Sequence, residues 1–283
     1  MKLLRYGPAG KERPGLLDSQ GKIRDLSLLI DELTAERLSP ESLKVLEQID
    51  PQSLPLVEGT PRLGIPYVGI GKFVAIGLNY SDHAKETNQP LPPEPMVFLK
   101  ATSCLNGPYD EIILPKDSKK ADWEVELGVV IGTRVQYVSE TEALQHVAGY
   151  CLVNDVSERG FQIERHGTVD KGKGCDTFGP VGPYLVTASE VGDPQALDMW
   201  LEVNGARMQT GSTRTMIFGV AKLISYVSHF MSLNPGDLIT TGTPPGVGFA
   251  RKPPVFLKAG DVIHASVSKL GEQRQKVVSW SGR

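Results

Sequence analysis

Trp123-Glu124-Val125-Glu126-Leu127-Gly128-Val129-Val130 reads as a strand that starts polar and ends in a core. Beyond Glu126 it is apolar and β-branched, as a buried strand requires. Side chains at i and i+2 of a strand share a face, so Glu124 and Glu126 project together while Val125 and Leu127 pack the other way. Two ionised carboxylates side by side in a low-dielectric setting repel; the pair needs a proton on one or a cation between them. A third carboxylate, Asp155, ends a strand over 150–155 just before a turn. Three such groups make a hard, oxygen-only donor set, which favours Mg²⁺, Mn²⁺ or Ca²⁺ over zinc. A surface strand with both glutamates in water has the same spacing, so spacing alone leaves both readings open.

Working outward, strand signals recur at 73–77, 96–100, 112–114, 123–131, 184–187, 199–203, 238–241 and 262–267. Helices interrupt them. Ser139-Glu140-Thr141-Glu142 is a capping box that opens a helix to about residue 148. Residues 216–230 carry Ile217, Val220, Ile224 and Val227 on one stripe. The chain's 30 glycines and 21 prolines in 283 residues exceed the roughly 12% expected of the two together, a surplus that suits turns. Many short strands with few helices predict an α+β, β-dominated fold rather than a doubly wound sheet.

The first 50 residues read as a small unit: a strand at 2–6, a strand–turn–strand across 15–26, and a helix from Pro40 to about Ile49 capped by Ser39. Pro51, Pro55, Pro61 and Pro66 then mark a linker, because prolines at that density suit neither a helix interior nor a central strand. The predicted division is an N-terminal module with linker, 1–66, and a main domain, 67–283.

A formal charge of −3 supplies no broad basic surface, which argues against a nucleic-acid partner. No stretch approaches about 20 uncharged apolar residues, and the N-terminus lacks the apolar core of a signal peptide. Cys104, Cys151 and Cys175 are too few and too scattered for a disulfide framework. The expectation is a reduced, cytoplasmic protein. Gly167 to Lys173 nearly spells a phosphate loop, but Gly174 follows where a hydroxyl residue is required, and no hydrophobic strand precedes it.

Taken together, Gly77-Leu78-Asn79-Tyr80 with His83 and Glu86, Pro95-Met96-Val97-Phe98-Leu99-Lys100, Asp122-Trp123-Glu124-Val125-Glu126-Leu127, Asn154-Asp155-Val156-Ser157 with Arg159, Lys171-Gly172-Lys173, Val203-Asn204-Gly205, Pro235-Gly236-Asp237-Leu238-Ile239 and Thr241 to Gly248 resemble the fumarylacetoacetate hydrolase family from about residue 73 to 267. The resemblance implies a mixed β-roll catalytic domain, usually a homodimer, with one Mg²⁺ or Mn²⁺ per active site. By resemblance, Glu124, Glu126 and Asp155 are the metal ligands. Lys173 is the cationic side chain beside the substrate, and His83 and Glu86 form the mobile catalytic dyad. Arg159, Gln162 and Thr243 hold the substrate's carboxylate and oxo groups. Gly174-Cys175 departs from the family's usual serine and bulky apolar residue, which predicts a more pliable loop with Cys175 placed to perturb the site.

The implied substrates are short oxo-acids. A 2,4-diketo acid offers a carboxylate and a 2-oxo oxygen that chelate one metal ion, a Lewis acid and template. Its cleavage by water needs a base, and His83, oriented by Glu86 three residues on in a helix, has the chemistry for it. The leading expectation is a metal-dependent hydrolase cutting a C–C bond in 2,4-diketo acids, acylpyruvates or 2,4-diketo-3-deoxy sugar acids, releasing pyruvate or a related 2-oxo acid. The alternatives are a family isomerase, an oxaloacetate decarboxylase, a ureidoglycolate lyase or a non-catalytic oxo-acid-binding protein.

Overall fold

The computed structural model describes residues 1–282. Two sheets dominate, as the strand signals predict. The larger has nine strands in the order Ile23–Asp25, Arg13–Leu17, Lys2–Tyr6, Leu185–Thr187, Val147–Asn154, Val125–Ile131, Leu238–Thr240, Phe73–Gly77, Met96–Lys100. The second has five: Ala206–Ser212, Asp198–Val203, Val262–Val267, Gly271–Ser279 and Ile112–Leu114. Strand Val125–Ile131 is buried along its whole length, so it is a core strand and not a surface one.

Strand direction places the chemistry. Leu238–Thr240 runs parallel to Phe73–Gly77 and antiparallel to Val125–Ile131, which in turn pairs antiparallel with Val147–Asn154. The exits of three strands and the entry of Val125–Ile131 therefore lie at one end of the sheet. Glu124, Asp155, the segment after Thr240 and the segment after Gly77 all emerge there. The opposite end is closed by Asp237, whose carboxylate accepts from the backbone N–H groups of Lys72 and Asn234 and pairs with Lys72 Nζ.

Residues 1–66 add three strands to the same sheet, through the pairing of Leu3 with Leu185 and Lys2 with Val186. Leu3, Leu16, Leu26 and Leu38 share one core cluster with Phe73, Val125 and Leu152. Arg5 bonds Glu32 and Glu12 within this segment, and Arg62, bonded to Glu12, also pairs with Asp110, so a half-buried ion pair crosses from this segment to the rest.

Several boundaries differ from the sequence expectation. The helix opened by Ser139 runs only over Glu140–Ala143, with a 3₁₀ turn Leu144–His146; Val147 and Ala148 are already strand, Val147 paired with Ile131 and Gly149 with Val130 across a register shift at Ala148. The helix expected over 216–230 is Val220–Ser228. Its intended first turn is occupied otherwise: Ile217 N–H donates to Asn79 O, and Phe218 N–H to Asn79 Oδ1. The core strand begins at Val125, not residue 123, because Glu124 N–H donates to the Asn154 side chain instead of a ladder carbonyl. Strands Ala206–Ser212 and Gly271–Ser279 lie outside every predicted element, their polar sequences hiding the alternation of period two. No helix among the described residues is long and apolar enough to cross a membrane.

Candidate active site and metal centre

Glu124, Glu126 and Asp155 are all buried, and each offers a carboxylate oxygen such that the three lie within 4.8 Å of one another. The backbone bond from Asp155 N–H to Glu124 O fixes the two strand ends side by side. Lys173 Nζ donates to Glu124 Oε2 at 2.6 Å and Asp155 Oδ2 at 2.7 Å. Arg159 donates from Nη2 to Glu124 Oε1 at 2.6 Å and from Nε to Asp122 Oδ2 at 2.9 Å. Its Nη1 donates to Gln162 Oε1 at 2.9 Å, which orients that amide so that its N–H₂ faces away from Arg159. The sequence-predicted Glu124, Asp155, Lys173, Arg159 and Gln162 thus form one connected cluster, with Glu126 beside it.

Electrostatics divides the carboxylates. Burial pushes Glu124 up, but Lys173 and Arg159 outweigh it and hold the group well below its usual range. Glu126 goes the other way: burial, then Asp155 and Glu124, push it far above its ordinary value. Glu126 Oε2 accepts from Thr240 Oγ1 and from Gly242 N–H, while Oε1 accepts no hydrogen bond among the described residues. Burial disfavours the Lys173 ammonium, but Asp155 and Glu124 more than restore it, so its pKa is raised. The donor set fits a hard divalent cation: three oxygen ligands, an uncompensated third carboxylate and a free acceptor oxygen on it.

Lys173 ends the short helix Asp170–Lys173. Gly172 is required there, since a Cβ would stand 2.5 Å from Glu158 O and 2.6 Å from Gln162 Cβ. Gly174 N–H closes the helix onto Asp170 O. Cys175 Sγ lies 3.5 Å from Lys171 O, and burial raises its thiol to about 11, so it stays a neutral thiol.

His83 and Glu86 occupy the helix Ser81–Glu86, with His83 Nδ1 2.8 Å from Glu86 Oε2. An ionised carboxylate only accepts, so Nδ1 carries the proton and Nε2 is left as the basic atom. Glu86 in turn accepts from Gly246 N–H at 3.0 Å. Asn79 anchors the helix's lead-in, donating to Thr241 O and Phe218 O. The segment Thr240–Gly246 therefore holds Glu126 at one end and Glu86 at the other. Thr243 lies between them; its hydroxyl donates to Val125 O and accepts from Gln209 Nε2.

Three residues at the site carry no role in the sequence reading. Lys100, wholly buried, donates to Asp155 Oδ1, Val156 O and Lys173 O. Asp122 ties Arg159 to the backbone N–H groups of Gly248 and Phe249. Gln209 bonds the loop around Thr243. Lys100 and Asp122 sit inside segments whose resemblance is noted above. Gln209 was findable only through the Asn204-Gly205 turn, both residues at positive φ, which signals a hairpin and so a strand after it.

Residues 72–278 match the family described as fumarylacetoacetate (FAA) hydrolase, C-terminal. The chain is 62% identical over 281 residues to a 2,4-didehydro-3-deoxy-L-rhamnonate hydrolase of Sphingomonas sp. (strain SKA58), covering 99% of this chain and 97% of that one. Among solved structures, a fumarylacetoacetate hydrolase from Exiguobacterium antarcticum superposes with a TM-score of 0.89 at 35% identity, over 99% of this chain and 100% of the other. Maleylpyruvate hydrolase from Sphingobium sp. SYK-6, in complex with manganese(II) and pyruvate, superposes at 0.82 with 30% identity and the same coverage. Fold, sequence span and the buried carboxylate triad agree: this chain belongs to the fumarylacetoacetate hydrolase family.

Proposed function

We propose that the protein is a metal-dependent hydrolase that cuts the C3–C4 bond of 2,4-diketo-3-deoxy sugar acids, releasing pyruvate and a shorter hydroxy acid. The observation that carries this reading is the single loop, Thr240–Gly246, that holds both a triad carboxylate and the His83–Glu86 dyad. The 62% identity to the rhamnonate-derivative hydrolase supports the sugar-acid substrate. Glu124, Glu126 and Asp155 would hold Mg²⁺ or Mn²⁺, which would supply Lewis acidity and a chelation point for a 2-oxo acid.

This chain's own residues do the rest. Arg159 and Gln162 present N–H donors for the substrate carboxylate. His83 Nε2 takes a proton from the water that attacks C4, and Glu86 stabilises the resulting imidazolium at Nδ1. The C3–C4 electron pair passes to the pyruvate fragment as an enolate, whose oxygen the Lys173 ammonium stabilises more than it does the ground state. A proton delivered to C3 completes pyruvate. Thr243 supports this site through its bonds to Val125 and Gln209.

Homodimeric assembly and a cytoplasmic location belong to the same proposal, resting on the family resemblance and the sparse, scattered cysteines. The test is a panel of diketo sugar acids, acylpyruvates and oxaloacetate with Mg²⁺ or Mn²⁺, following loss of diketo absorbance and formation of pyruvate. Cleavage of a diketo sugar acid supports the reading. Oxaloacetate decarboxylation with every diketo acid left intact overturns it.

A further inference from the structure

The strand Ala206–Ser212 belongs to the five-stranded sheet, yet one of its side chains crosses into the catalytic sheet. Its pairing with Asp198–Val203 slips between Leu201–Gln209 and Glu202–Arg207, leaving Met208 as an extra, bulged residue. Without the bulge Gln209 would share the exposed face of Arg207; with it, Gln209 turns inward and is fully buried. Its amide is completely used. Oε1 accepts from Val125 N–H at 3.0 Å, and Nε2 donates to Thr243 Oγ1 and to Pro244 O, both at 2.8 Å. Val125 lies between Glu124 and Glu126, and Pro244 lies two residues before Gly246.

Gly246 is clamped on both sides. Its carbonyl accepts from Trp123 Nε1 at 3.1 Å, its N–H donates to Glu86, and a Cβ there would lie 2.0 Å from the carbonyl oxygen of the bulged Met208. The bulge thus aims Gln209 at the loop and brings its own carbonyl against the glycine that receives Glu86.

We propose that Gln209 is a positioning residue for the hydrolytic base: it sets the Thr243–Gly246 loop so that Gly246 N–H can hold Glu86, and through Glu86 the imidazole of His83. The proposal rests on the reading of His83 as base given above. It follows that Gln209 acts chiefly on water activation: none of its bonds reaches a triad side chain, Arg159 or Lys173, and the Thr243 hydroxyl it bonds already donates its proton to Val125 O.

The test compares wild type, Gln209→Met, His83→Ala and the double variant. A displacement of the base by an ångström costs on the order of 100-fold in rate, so Gln209→Met lowers kcat by about 10- to 100-fold with KM and the Mn²⁺ dissociation constant little changed. In the His83→Ala background the same substitution lowers kcat no further. Hydrogen exchange supplies a readout free of substrate: amides of 81–88 and 243–248 exchange at least roughly tenfold faster, while those of Val125–Ile131 stay protected. Additive losses of kcat, or unaltered exchange in 81–88, overturn the proposal. Should wild type cleave no diketo acid, the functional reading fails and exchange alone decides Gln209. If Gln209→Met does not fold, Gln209→Asn, which keeps an amide in the core but loses the reach, gives the same readouts.

Discussion

Lys100 Nζ lies 2.5 Å from Asp155 Oδ1 and donates also to the carbonyl of Lys173, so one buried ammonium ties a triad carboxylate to the backbone of the catalytic lysine candidate. With Val156 O as its third acceptor, all three of its protons are placed. Lys100→Met leaves a buried carboxylate and two carbonyls short of a partner. Removing one member of such a buried pair costs about 3–5 kcal/mol. Urea denaturation in chelator checks this; a loss under 1 kcal/mol, the range of exposed pairs, refutes it.

Glu126→Gln separates metal binding from folding. Burial, Asp155 and Glu124 push the Glu126 carboxyl well above the usual carboxylate range. A carboxyl raised in the folded state contributes its full stability below the unfolded value and loses it as pH rises through the folded one. Metal-free Glu126→Gln therefore gains on wild type as pH rises above the ordinary carboxylate range and through the raised value of Glu126. The measurement is Tm against pH in chelator for both proteins. The variant also loses the thermal stabilisation that Mn²⁺ gives wild type, about 2.7 kcal/mol at a hundredfold excess over Kd.

His83→Ala distinguishes hydrolysis from simple enolate chemistry. Loss of a general base lowers kcat for diketo-acid cleavage by roughly 10²–10⁴. The Mn²⁺ affinity stays unchanged, because the dyad touches none of the three triad carboxylates. Any oxaloacetate decarboxylation persists, because that reaction needs no attacking water. Side-by-side kinetics at saturating Mg²⁺ decide the point, and undiminished diketo-acid cleavage removes His83 from the mechanism.

Light scattering at micromolar concentration tests assembly. The expected mass is that of two chains; a mass near 30.7 kDa refutes the homodimer.

Much of the chemistry is readable in the sequence because it is local. Glu124 and Glu126 share a face by strand geometry, and His83 and Glu86 meet across one helical turn. What the sequence hides is whatever depends on long-range pairing. Gln209 follows a bulge that inverts the phase of its strand, and Lys100 reaches a carboxylate 55 positions away. The helix expected to start at residue 216 starts at Val220 because Asn79, remote in sequence, captures the intervening backbone. The strand at Val147 overrides a helix signal through pairing with Val125–Ile131. Only the strand of Gln209 has a local signal, the Asn204-Gly205 turn, and that turn does not reveal the bulge.

The strand directions around Val125–Ile131 have an evolutionary and practical corollary. All proposed chemistry leaves the sheet at one end, whereas Lys72, Asn234 and Asp237 seal the other with hydrogen bonds that serve only folding. Substrate preference can drift through changes in the connections at the first end while the sealed end keeps the scaffold intact. The turn around Tyr137, on the sealed side and two-thirds exposed, is accordingly the place to insert a reporter or an attachment handle without disturbing catalysis.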